Sequence, residues 1–203
     1  MQILKSVKKH PAVGSRVLSP LVALAALGGV MIVSPQAAQA QVSNIIPIRL
    51  KLGVLLPNDR DTKELAGNTH LSGEIDVAVP FSGGAGGQSL LSVGYSRGSR
   101  GGNSFQVIPV SLTKISSPPN PVGRVTGNVY YGAGVGLYFV SVNGIPQAGG
   151  GSYSKSRTLF GASLVAGYQT PLSFFIEGKY HLVTGTVEGY SPNGLSVFIG
   201  KRL

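Results

Sequence analysis

His70, Ser72 and Glu74 stand two residues apart in "HLSGE". A histidine, a hydroxyl and a carboxylate on one face are the residue types of a base, a nucleophile and an orienting group, as in a lipid hydrolase. The spacing argues against that chemistry. Side chains at i and i+2 of a strand lie about 7 Å apart, too far for a direct nucleophile–base hydrogen bond. His70 is therefore expected to be a solvated loop histidine. His181 follows Glu177 and Lys179 at the same period of two. It is expected inside a hydrogen-bond network, because no ligand set at metal spacing accompanies it. The run "GAGVG" has neither Gly-Lys-Ser/Thr nor a following helix, so it is no phosphate loop. The chain has no cysteine, which excludes disulfides, thiol catalysis and Cys-ligated metals. These residues predict no catalytic, cofactor or metal site.

What remains is a set of charges at mid-strand positions, so the strands that carry them decide their role. In "PIRLKLGVLL" one face is Ile48, Leu50, Leu52 and Val54, and the other holds Arg49, Lys51 and Gly53. In "SGEIDVAVPF" Ile75, Val77, Val79 and Phe81 oppose Glu74, Asp76 and Ala78. In "SFFIEGKYHLV" Phe174, Ile176, Tyr180 and Leu182 oppose Glu177, Lys179 and His181. The stretch 127–144 alternates Val129, Tyr131, Ala133, Val135, Leu137 and Phe139 against Tyr130, Gly132, Gly134, Gly136 and Tyr138. Period two is the signature of a β-strand. Eight such segments are predicted, over 47–56, 72–81, 89–97, 104–113, 127–142, 158–169, 173–184 and 194–203. In "SFQVIPVSLT" both faces are apolar and the inward one is not identifiable. No helical periodicity of useful length lies between the segments.

The first 40 residues stand apart. Lys5, Lys8, Lys9 and Arg16 precede the apolar run 21–33, and Ala38 and Ala40 offer small residues before Gln41. Basic, apolar, then small-x-small is a cleavable secretory signal. The thirteen apolar residues fall short of the ~20 a spanning helix needs. The expected mature domain is 41–203. It keeps 13 basic residues of 17 and all 7 acidic ones, a balance of +6. Export and the scatter of the basic residues argue against nucleic acid as a partner.

A soluble sandwich places its charged faces in water. Here Arg49, Lys51, Glu74, Asp76, Glu177 and Lys179 balance in sign, and the faces opposite them carry no charge. That arrangement suits an apolar face against lipid and a lumen in which charges pair. Phe81, Tyr131, Tyr168 and Phe174 are expected in an aromatic girdle near one end of the strands, with Tyr95, Phe139 and Phe160 near the other. The predicted fold is all-β, an eight-stranded antiparallel up-and-down transmembrane barrel. Its lumen charge network is Arg49, Lys51, Glu74, Asp76, Glu177, Lys179 and His181.

The segments "IPVSL", "YYGAGVGLYF", "GASLVAGYQ", "FFIEGKYHLV" and "LSVFIGKRL" resemble the small outer-membrane β-barrel superfamily, the OmpX/OmpW-like group. The resemblance implies an exported bacterial outer-membrane protein that uses the Sec pathway, with both termini in the periplasm. It also implies insertion by the barrel-assembly machinery, which reads the last strand; this chain ends in Leu203 where the family usually has an aromatic residue. The implied partners are outer-membrane lipid and lipopolysaccharide around a monomer. A non-enzymatic structural or surface-interaction role is expected first. The alternatives are passage of small or apolar solutes and, third, lipid A modification. On this topology, 57–71, 98–103, 143–157 and 186–193 would be outer loops, and 170–172 an inner turn.

Overall fold

The computed structural model describes residues 47–80, 87–118, 127–144 and 152–203. The signal residues Ala38, Ala40 and Gln41, and Phe81 of the expected girdle, lie outside them. Eight strands form one closed antiparallel barrel in sequence order. They are β1 (Ile48–Pro57), β2 (His70–Val79), β3 (Gly87–Arg100), β4 (Asn103–Ser116), β5 (Asn128–Gly144), β6 (Tyr153–Gln169), β7 (Phe174–Val183) and β8 (Gly194–Arg202). β8 closes on β1 with Arg49 opposite Arg202 and Pro57 opposite Gly194. Closure leaves no unpaired sheet edge.

Alternation sets which face each residue takes. Leu50, Leu52, Ile75, Val135, Leu137, Leu164, Ile176 and Ile199 are exposed on the outer wall. The residues between them point into the barrel. From Val129 to Phe139 the outward positions of β5 are exposed and uncharged. Ten residue steps at ~3.3 Å, inclined by ~40°, give an apolar band about 25 Å tall.

Eight strands enclose an interior just wide enough for side chains, and the inward glycines supply the remaining room. A Cβ at Gly53, Gly132, Gly134 or Gly136 would come closer than 3.0 Å to the neighbouring strand. Pro109 has no N–H to give the ladder. The β3–β4 pairing accordingly passes from Val93–Val110 to Ser96–Val107 without pairing Gly94 or Tyr95.

Three features of the strands and their connections differ from the sequence reading. First, a short helix, α1 (Arg60–Ala66), follows β1. It spans seven residues, about two turns, too few to register as a periodic face. Second, β3 and β4 run on to a two-residue turn at Gly101 and Gly102, so 98–103 is not a loop. Positive φ at both glycines (57° and 85°) builds the hairpin turn whose twist matches its strands. Third, β4 resolves its ambiguity by turning Phe105, Val107, Pro109, Ser111 and Thr113 inward. Phe105 and Val107 pack inside beneath α1, in one apolar cluster with Leu65, Tyr138, Val140 and Leu159.

Candidate functional site

The lumen is layered. Its middle holds Arg49 and Lys51 from β1, Glu74 and Asp76 from β2, and Glu177 and Lys179 from β7, all 0–4% exposed. Lys51 Nζ is the hub. It lies 2.5 Å from Glu74 Oε1, 3.0 Å from Asp76 Oδ2 and 2.8 Å from Glu177 Oε1. Lys179 Nζ donates to both Glu74 oxygens at 2.9 Å and to Ser111 Oγ at 3.4 Å. Arg49 Nη2 reaches Glu177 Oε2 at 2.8 Å and the Tyr130 hydroxyl at 2.5 Å. That hydroxyl donates onward to Glu177 Oε2 at 2.8 Å. The guanidinium also lies 4.1 Å from the Phe175 ring centroid and 4.9 Å from that of Tyr130.

Three cations thus face three carboxylates. Charge taken out of water is tolerable when it is paired and hydrogen-bonded, and here the signs cancel in number. The layer is balanced in charge and fills the lumen with fixed polar groups, although Asp76 is held by ion contacts to Lys51 and Arg49 without a hydrogen bond. Its hydroxyl–carboxylate contact, Tyr130 on Glu177, is held in place by Arg49 Nη2, which donates to both groups.

Toward the α1 end, His181 lies between the Tyr138 hydroxyl (3.1 Å from Nδ1) and Ser196 Oγ (3.0 Å from Nε2). His70, Ser72 and Glu74 share the inward face, but they do not bond one another. Ser72 and Glu74 are engaged elsewhere, and the His70 ring nitrogens are buried without a hydrogen-bond partner. Ser72 Oγ is 2.7 Å from Ser96 Oγ, and Glu74 is held by the two lysines. His70 is not a solvated loop residue: it is fully buried and tilted against Phe105 at 5.9 Å between centroids. The reason lies on the neighbouring strand. A Cβ at Gly98 would collide with the His70 ring, so glycine there opens the slot that the imidazole fills. No nucleophile–base pair forms among His70, Ser72 and Glu74. Among the described residues no group of three or more His, Cys, Asp or Glu could hold a metal.

Above this layer α1 is fastened down. Asp59 caps the helix, its Oδ2 accepting from the Thr62 amide (2.9 Å) and hydroxyl (2.7 Å). The Ser191 amide, on the β7–β8 connection, donates to Thr62 Oγ1 at 3.1 Å, and the Asn58 amide to Asn193 O at 2.9 Å. Burial alone would raise the Asp59 carboxyl. The hydrogen bonds from Thr62, Ser191 and Asp61 outweigh it and hold the group below its ordinary value. The cap was missed in the sequence, although "NDRDTKELAGN" carries its signals: Asp at the N-cap and Gly67 at the end.

At the opposite mouth a polar cavity of about 130 Å³ is lined by residues that include Arg49, Gln88, Tyr130 and Arg202. On the outer wall, Tyr95, Tyr131, Phe139, Phe160, Tyr168 and Phe174 are exposed. Tyr131, Tyr168 and Phe174 sit at or near strand ends beside the 170–173 turn and the start of β5. Phe160 sits near the middle of β6, because that strand begins at Tyr153.

No family model matches the chain, and no curated protein matches it. Among solved structures the chain is similar to the N-terminal β-barrel domain of Pseudomonas aeruginosa OprF, at 11% identity and a TM-score of 0.48. The match covers 77% of this chain and 95% of that one.

Proposed function

We propose that the chain is a non-enzymatic barrel of the bacterial outer membrane, with a structural or surface-interaction role and a lumen closed to solutes. One observation carries this reading: the polarity of the wall is inverted relative to a water-soluble barrel. Every carboxylate in the described strands points inward, while Leu52 and Ile199 on the outside are 74% and 65% exposed. Leaving so much apolar surface in water is costly, at roughly 25 cal/mol per Å², and a bilayer removes that cost. The charges outward on the described strands are Arg97, Lys114 and Lys201, all basic and all toward strand ends, where lipid phosphates lie.

This reading makes residues 1–40 an export signal and gives the chain kinship with OmpX/OmpW-like barrels. It makes outer-membrane lipid and lipopolysaccharide the surroundings of a monomer delivered by the barrel-assembly machinery. The α1 end, where β5 ends at Gly144 and β6 begins at Tyr153, faces outward. Both Pro47 and Leu203 lie at the other end, the Leu203 amide bonding Ile48 O at 2.8 Å.

Planar-bilayer recording of the refolded protein tests the closed lumen. Quiet bilayers containing protein that shifts mobility on boiling are the expected result. Steady unitary currents would replace this reading with solute passage. A change in lipid A mass on expression would replace it with lipid modification.

A further inference from the structure

Two kinds of glycine on the described strands contrast. Those pointing inward, such as Gly94, Gly161, Gly167, Gly194 and Gly200, leave no space for a Cβ, which would come closer than 3.0 Å to a neighbour. Gly73 and Gly178 point outward, and there a Cβ would meet nothing nearer than 3.4 Å and 3.9 Å respectively. Packing does not require glycine at either outward position. At Gly73 the missing side chain has a consequence. Gly73 pairs with Leu52 on one side and Tyr95 on the other, so a row of large outward side chains is interrupted there. The gap opens a groove of about 650 Å³ on the outer wall, lined by Leu52, Ile75, Tyr95 and Phe174, among others. Gly178 does not line it.

One side of the groove is charged. Lys201 lines it, paired in register with Leu50 and with Phe174, and its ammonium lies 5.4 Å from the Phe174 ring centroid. No carboxylate faces outward on any described strand, so Lys201 has no acidic partner on the wall. An apolar slot with a cation at the strand end complements a molecule with a hydrocarbon chain and an anionic head. We propose that this groove holds one acyl chain of a glycerophospholipid, whose phosphate pairs with Lys201. The proposal rests on the membrane reading above and adds a defined lipid site to it.

Native mass spectrometry of protein released from mixed phosphatidylglycerol and phosphatidylcholine vesicles tests it. Boiling-dependent gel mobility verifies that each variant is folded and inserted. The wild type is expected to retain one lipid, mainly phosphatidylglycerol. Gly73→Leu, which fills the groove without a backbone clash, should reduce retention at least fivefold. Lys201→Gln should erase the preference for phosphatidylglycerol. Gly178→Leu, an equal addition to the wall outside the groove, should retain lipid like the wild type. Equal retention by the wild type and Gly73→Leu would overturn the site while leaving the membrane reading intact. Equal losses in Gly73→Leu and Gly178→Leu would reduce it to unspecific boundary lipid. A dimer present in the wild type and lost in Gly73→Leu would assign the groove to a second copy. Failure of the wild type to insert at all would overturn the membrane reading and this site together.

Discussion

Lys51 Nζ and Glu177 Oε1 lie 2.8 Å apart although 126 positions separate the residues. Their strands do not pair with each other: β8 stands between β1 and β7. The contact therefore exists only when the barrel is closed, and it reports closure directly.

Removing either partner leaves the lumen with an odd charge. Glu177→Ala leaves three cations facing two carboxylates, and Lys51→Ala the reverse. Each single substitution should cost about 3–5 kcal/mol, the range for breaking a buried pair. The double variant, with two of each sign left, should lose less than either single. Urea unfolding in lipid vesicles, followed by gel mobility, measures all three. Simple additivity would mean that the pair is not coupled.

The slot for His70 yields a second expectation. Gly98→Ala places a methyl group into the imidazole, and overpacking of this kind costs about 1–3 kcal/mol. His70→Ala should relieve the ring clash but not the 2.7 Å approach to Ala66 O, so Gly98→Ala should cost less in the His70→Ala background than in the wild type. A Gly98→Ala variant as stable as wild type would show that the ring is not confined there.

Asp59 links α1 to the β7–β8 connection. Burial would raise its carboxyl above the ordinary 3.8, but the hydrogen bonds from Thr62, Ser191 and Asp61 hold it below that value. A depressed value means that its stabilisation is complete above the unfolded-state value and is lost as pH falls through the folded one. The helix should stay docked from neutral pH down to about pH 4, the ordinary range of an aspartate, and loosen below it. Asp59→Ala should loosen it at all pH values, by ~0.5–2 kcal/mol. Hydrogen exchange of the 58–69 peptide reads both effects. Protection that is independent of pH and unaffected by Asp59→Ala would show that the cap does not hold the helix.

Orientation gives a fourth expectation. Trypsin added to intact cells should cut at Lys63 or Lys155 and spare Lys114. Cleavage at Lys114 with Lys63 spared would invert the barrel.

The strand faces were legible because period two is a local property. Arg49, Lys51, Glu74, Asp76, Glu177 and Lys179 share a face with their near neighbours in sequence, whatever the rest of the chain does. The burial of His70 was not legible, because its surroundings are Gly98 and Phe105, brought beside it by β3 and β4. The inward face of β4 was hidden for a related reason. The upper lumen is apolar, so Phe105 and Val107 are inward while Ile108 and Val110 face out, and both parities look hydrophobic. α1 escaped because seven residues carry capping signals but no stripe. The groove at Gly73 was invisible too, since only the register with Leu52 and Tyr95 shows that a glycine interrupts a wall.

The inverted polarity of the wall is directly measurable, because the chain lacks tryptophan and a single introduced indole reports alone. Val135→Trp places that fluorophore on the outward face of β5, within the apolar band. Lys155→Trp places it on β6, beyond the band at its α1 end. In vesicles with brominated acyl chains, emission from the Val135→Trp variant should be strongly quenched by bromine and insensitive to acrylamide. The Lys155→Trp variant should show the opposite response. Acrylamide quenching of the Val135→Trp variant with no effect of bromine would put water where the barrel wall requires lipid, and the membrane reading would fall.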